Sequence, residues 1–446
     1  MSHPLLTAPI GRSLLRLASP TTALMVVQIF VAVAETWFVG RLGRDALAGF
    51  ALVFPFMALM LNVANGGMGG GVASAMARAL GAGRTEDARA LALHAVVVGL
   101  AIGLGFTAFA WIVAPSVYAL MGGSGTALRE ALAFSNLWFA GAALAWTSSF
   151  FSALLRGSGN SATPARYGLF ASMVYVPLSG VLALGIGDWS GFGIEGLAIA
   201  SLVATTVALV LQISALSRGR LGFVPGITGI PLQRRLFGEI LKVGLMGSAT
   251  SLTGNLTAVL VTGLIGSFGT AALAGYGIGV RLEYMVAPLA FGIGTGLTTL
   301  VGVAAGAGDW RRANRVAWIG AAIGFALVGG IGWTAALLPE SWARLFTQDA
   351  QVIAASVAYL TRVAPFYCLF GLGLTLYFAS QGAGRMTTPL VASLVRQGVV
   401  SAFGWLAVER LGLGLQSVFT VLATGMILFG CLIAGPLLFR PWGSRR

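Results

Sequence analysis

Apolar stretches long enough to cross a bilayer recur along the whole chain, and they constrain its fold more than anything else in the sequence. A membrane-spanning helix needs about 20 mostly apolar residues. Twelve such stretches can be read, at about 19–39, 46–72, 90–113, 131–154, 166–187, 194–216, 243–266, 272–301, 316–338, 352–380, 389–408 and 414–438. Little is left over for a soluble domain. Only 9% of the 446 residues are charged, against about 25% in a soluble domain. The 64 glycines, many of them inside the apolar runs, suit helices that approach closely in lipid. The expected class is an all-α integral membrane protein of about twelve transmembrane helices.

The formal net charge of +14 raises the question of nucleic acid, but its distribution answers otherwise. One set of alternating connections, together with both termini, carries Arg78, Arg84, Arg89, Arg218, Arg220, Arg234, Arg235, Arg311, Arg312, Arg315, Arg440, Arg445 and Arg446, among others, against four acids. The other set holds Arg41, Arg44, Arg129, Arg344 and Arg410 against seven acids. Basic residues spread over many short loops follow the positive-inside rule. They place both termini in the cytoplasm of a bacterial inner-membrane protein and leave no basic patch for nucleic acid. Cys368 and Cys431 lie in separate apolar segments and form no metal-binding pattern. His3 and His94 have no ligand partners at metal spacing. No metal or organic cofactor is expected. The start lacks a cleavable leader pattern, so the first apolar run reads as a retained span.

The sequence repeats itself. Ala46-Leu47-Ala48-Gly49 recurs as Ala272-Leu273-Ala274-Gly275, an offset of 226, and Gly66 and Gly70 fall on Gly292 and Gly296 at the same offset. Gly81-Ala82-Gly83 faces Gly306-Ala307-Gly308, and Thr163-Pro164 faces Thr388-Pro389, at 225. Several separated motifs holding one offset to within a residue indicate duplication. Six spans per copy make the repeats parallel, with a site near the midplane between them. The expected division is an N-terminal half over 1–216, a cytoplasmic linker over 217–242 and a C-terminal half over 243–446.

These residues resemble the multidrug and toxic compound extrusion family. The resemblance runs through Glu35-Thr36-Trp37-Phe38-Val39-Gly40-Arg41-Leu42-Gly43, Ala46–Gly49, Gly81–Gly83, Arg156-Gly157-Ser158-Gly159-Asn160 with Thr163-Pro164, and Gly193–Ala200. Tyr276-Gly277-Ile278-Gly279-Val280-Arg281-Leu282-Glu283 is similar to the family's DNA-damage-inducible-protein-F-like branch. The resemblance implies a twelve-helix, V-shaped transporter with a central cavity; a monomer without enzymatic activity is expected. It implies antiport of amphipathic, often cationic small molecules against H⁺ or, less in keeping with these residues, Na⁺. The family's acid in the first helix is usually Asp; the matching residue here is Glu35. The Asn and Asp that one branch carries in helix 5 are absent near Tyr175 and Ser179. Helices 7 and 10 have no acid, Asn255 being the nearest polar residue in helix 7.

An ionisable group within a span costs roughly 2.5–3.5 kcal/mol on insertion scales, so each one marks a pathway or a structural pair. Glu35 is the candidate for cation coupling, since apolar surroundings penalise its charged form and equip it to take up and release a proton. The alternative is an ion pair tying helices together. Arg281 and Glu283, two apart on one helix, do not face each other. Arg281 is expected to pair with Glu35 or with substrate, and Glu283 to line the cavity. Arg362 and Arg396 read as nearer helix ends. Gln28, Asn62, Asn65, Asn255, Tyr276 and Tyr367 complete the candidate cavity. The glycine run 66–71 has no phosphate-loop lysine and reads as close packing or a bend. A lipid-linked precursor flippase of the same superfamily is the rival reading; it predicts a wide basic cavity and often extra helices. A membrane enzyme would need a catalytic cluster that the sequence lacks.

Overall fold

The computed structural model describes residues 3–225 and 230–444. Residues 226–229 of the expected linker, and Arg445 and Arg446 of the basic set, lie outside the described residues. Among the described residues, eleven helices and one bent pair, taken as a single span, follow the order read from hydropathy: α1 Ile10–Leu42, α2 Arg44–Gly81, α3 Thr85–Ile112, α4 Gly125–Ala140 with Ala142–Gly157, α5 Ala162–Leu184, α6 Ile194–Ser217, α7 Arg234–Gly266, α8 Thr270–Gly306, α9 Trp310–Leu337, α10 Ala350–Ala383, α11 Thr387–Arg410 and α12 Leu415–Phe439. The two parts of α4 meet at 48° at Gly141. Pro365 lies in a short 3₁₀ break of α10. Large apolar side chains such as Phe30, Val33 and Phe439 stay on the outside, as a lipid-facing surface requires. α7 begins at Arg234, so the last part of the expected linker is helix. Hydropathy finds only the apolar stretch, whereas the helix continues as charged turns beyond it.

Local chemistry repeats in both halves. Gly43 and Gly269 open α2 and α8 with φ of +116° and +100°, a region that residues with a Cβ rarely adopt. A Cβ on Gly49 would meet Ala127 O and Ala131 N, and one on Gly275 would meet Val352 O and Ser356 N. The rings of Phe50 and Phe134 lie 5.4 Å apart, and those of their counterparts Tyr276 and Tyr359 lie 5.5 Å apart.

Contacts across the halves are reciprocal. Gly81 packs on the carbonyl of Val303, and Gly306 on the carbonyl of Arg78. Ser74 donates to the carbonyl of Gln381, and Thr299 donates to the carbonyl of Arg156. Each pair maps onto the other at an offset of 225, so the halves are related by a pseudo-two-fold axis. These contacts lie toward the ends of α2 and α8 next to the basic connections. There an ionic network also bridges the halves: Arg84 reaches Asp87 at 2.9 Å and Glu239 at 3.1 Å, and Arg235 contacts both acids.

The offset slips from 226 to 225 inside α2, where Val63–Met68 forms a π-helical turn. Such a turn accommodates one extra residue in a helix. The packing gives the register beyond it: Gly67 meets Ser248 as Gly292 meets Thr22, and Gly71 meets Ile240 and Gly244 as Gly296 meets Leu14 and Leu17. Gly67 and Gly71, not Gly66 and Gly70, are therefore the counterparts of Gly292 and Gly296. A run of adjacent glycines matches itself when shifted by one, which is why the sequence paired them wrongly.

Candidate functional site

A central cavity of 860 Å³ lies between the halves, walled by residues of both. On the N-terminal side α1 contributes Gln28 and Glu35, spaced seven residues apart and so on one helix face. α5 faces them. Gln28 Nε2 donates to Ser172 Oγ at 3.1 Å, and the Tyr175 hydroxyl donates to Glu35 Oε1 at 2.7 Å. Tyr175 is 8% exposed. No salt bridge joins Glu35 to Arg, Lys or His within 4.0 Å among the described residues. A carboxylate held by one hydroxyl, without a countercharge and open to a cavity, can exchange a cation.

Asn62, Asn65 and Asn255 also line the cavity. Asn65, within the π-turn, accepts at Oδ1 from Ser149 Oγ at 2.9 Å, and Asn255 Nδ2 donates to its own helix at Ser251 O, 3.0 Å away. The α1–α5 contact at Gln28 and Ser172 has its α7–α11 equivalent in the hydrogen bond from Thr257 to Gln397, which is the counterpart of Ser172.

Four expected cavity residues are elsewhere. Arg281 does not pair with Glu35: it is exposed, with its guanidinium over the Phe346 ring at 5.2 Å. A long cationic side chain lowers its cost by turning outward toward an aromatic ring in a connecting segment. Glu283, Tyr276 and Tyr367 are not on the cavity wall. They form a cluster within the C-terminal half. Glu283 Oε1 accepts from Tyr359 and, at 3.3 Å, from Tyr367; the two tyrosine hydroxyls are 3.3 Å apart. Tyr276 joins through its ring contact with Tyr359. Seven residues separate Tyr276 from Glu283, which puts them on one face of α8, while Arg281 falls on another.

Arg396 is the residue that sequence reasoning misplaced. It lies nine residues, roughly 14 Å, into the 24-residue α11 and lines the cavity with Phe370 and Phe429. Counting from the predicted start of that span at 389 already places it well inside. Tyr175 was singled out only as the site of a missing family acid; an aromatic hydroxyl in an apolar run carries no signal of its partner.

The profile of the MatE family matches residues 20–181 and again 248–406, one copy per half. The chain belongs to the MatE family. Two curated relatives are alike over more than four-fifths of both chains. A FAD transporter of Shewanella oneidensis is 25% identical over 397 residues, 88% of this chain and 87% of its own. The probable multidrug resistance protein NorM of Thermotoga maritima is 25% identical over 390 residues, 86% and 83% of the two chains. The solved structure of a MOP superfamily transporter from Pyrococcus furiosus superposes with a TM-score of 0.88 at 23% identity, covering 98% of this chain and 97% of that one. The MatE fold is thus shared along the whole described length. Membership also places the chain among transporters rather than enzymes.

Proposed function

We propose that this MatE protein is a secondary active efflux antiporter, exporting amphipathic small molecules in exchange for H⁺ by alternating access, with Glu35 as the coupling acid. The observation that carries this reading is the Glu35–Tyr175 pair, a carboxylate without a countercharge facing a cavity between two quasi-equivalent halves. H⁺ is preferred to Na⁺ because a sodium site needs several oxygen ligands close together, and the second carboxylate, Glu283, is bound into its own tyrosine cluster. The relatives' names, a FAD transporter and a multidrug resistance protein, accord with an amphipathic cargo. A cationic cargo would use Glu35 as its countercharge.

The halves touch at the ends bearing the basic loops. With those ends in the cytoplasm, as the positive-inside rule directs, the cavity opens to the outside, and protons from that side reach Glu35 and release cargo. The test is counter-transport in proteoliposomes: a pH gradient and then a Na⁺ gradient are imposed, and ethidium efflux is followed. A pH gradient should drive efflux in wild type and not in Glu35→Gln. Uphill export by Glu35→Gln, or efflux indifferent to both gradients, overturns the proposal.

A further inference from the structure

The cavity carries opposite charges on its two walls. Glu35 marks the N-terminal wall and Arg396 the C-terminal one. The guanidinium of Arg396 lies 5.3 Å from the Phe370 ring centre and 5.8 Å from that of Phe429. Its Nε is buried without a hydrogen-bond partner, and among the described residues no carboxylate comes within 4.0 Å of it. Glu283 has its Oε1 taken by Tyr359 and Tyr367. The duplicated position, at an offset of 225, is Ala171, which also lines the cavity, so the symmetry of the fold does not call for this charge.

A cation at mid-span is costly, and its planar fork of five N–H donors matches carboxylate or phosphate oxygens in pairs. Contact with two phenyl rings offsets part of that cost and leaves the donors free. Phe291, Tyr284 and Tyr377 extend the aromatic surface of the same wall, where a ring attached to the anion would stack. Glu35 on the facing wall repels a negative group and so orients such a cargo with its anion toward the C-terminal half.

We propose that Arg396 is a cargo-binding residue and that the exported compounds include aromatic amphiphiles bearing an oxyanion, a carboxylate or a phosphate, which docks on its guanidinium. The proposal rests on reading the cavity as the cargo site. Its test is equilibrium binding of carboxyfluorescein to the full-length protein in nanodiscs, read by fluorescence anisotropy, with ethidium as the cationic control. Arg396→Gln should weaken carboxyfluorescein binding at least tenfold and leave ethidium binding within about twofold. Competition by benzoate against phenyl phosphate tells which oxyanion is preferred. A folded Arg396→Gln protein that binds carboxyfluorescein as tightly as wild type overturns the proposal, and so does a wild type that binds ethidium alone. Should Arg396→Gln not fold, Arg396→Lys is read instead: loss of the bidentate fork should weaken binding several-fold, and an unchanged affinity overturns the proposal. Binding is read without a gradient, so it can succeed where coupled efflux fails, and the reverse.

Discussion

The Tyr175 hydroxyl on α5 donates a 2.7 Å hydrogen bond to the Glu35 carboxylate on α1. It makes the proposed coupling acid a two-helix device. Any change in the proton on Glu35 alters what holds α1 against α5, and a proton can thereby be linked to a movement of helices. The corresponding positions in the other half, Val261 and Val400, have no such chemistry.

Removing the hydroxyl while keeping the ring tests this link. Tyr175→Phe should slow pH-driven efflux several-fold and displace the midpoint of its pH profile, with little change in thermal stability. Glu283→Gln, in the separate tyrosine cluster, should leave that midpoint where it is. Transport rates across a pH series for the two variants check both statements.

The reciprocal glycine contacts close the basic-loop side. Gly81→Ala would drive a Cβ into the Val303 carbonyl, and Gly306→Ala one into that of Arg78. Backbone carbonyls cannot swing aside as side chains do, so each substitution should cost about 1–3 kcal/mol of the closed arrangement. The expected result is greater labelling of engineered cysteines from the basic-loop side, similar for the two variants because the contacts are equivalent.

The π-turn of α2 holds one residue more than its counterpart in α8. Deleting Gly66 should restore a plain helix. The part beyond the turn is fixed by packing against α7, so the preceding part would rotate by about 100° and carry Asn62 off the cavity. Efflux should fall more than tenfold in protein that still inserts and melts cooperatively. Undiminished efflux would mean that the extra residue has no role.

The Arg84–Asp87–Arg235–Glu239 network responds to acid. The hydrogen bond from Arg235 holds the carboxyl of Asp87, in the first turn of α3 outside the apolar stretch, below the usual carboxylate range, against an opposing effect of burial. A carboxylate held low contributes stability that is present above its unfolded value near about 4 and lost as pH falls through its folded value. Arg84 and Arg235 are 39% and 49% exposed, so each pair is worth about 1 kcal/mol or less. Asp87→Asn should lower the melting temperature slightly at pH 7, and the difference from wild type should shrink as pH falls below about 4 and vanish below the folded value of Asp87.

Much of the fold was legible because lipid is a simple solvent. It demands long apolar helices, and every span that was read falls on an observed helix, although the helices run up to nine residues beyond the apolar stretches. The duplication was legible too, since turn glycines such as Gly43 and Gly269 must recur wherever the backbone recurs. Its register was not, because the inserted residue hides in a run of like residues and only the contacts of Gly67 and Gly292 reveal where it sits. The site was half legible. Gln28, Glu35, Asn62, Asn65 and Asn255 stand out as polar groups in apolar runs, and all five reach the cavity. Tyr276, Arg281, Glu283 and Tyr367 stand out equally and do not.

The recurring motifs determined the two-copy plan. Hydropathy and charge order by themselves determined the class and the number of spans, because those depend on what each residue costs in a bilayer. They named Glu35 for the same reason. Only the tertiary structure decided which charges meet. It gave Glu35 a tyrosine instead of an arginine, turned Arg281 outward, enclosed Glu283 among tyrosines and brought Arg396 to the cavity. An ionisable side chain announces its cost through its own identity, whereas its partner is set by the rotation of one helix against another.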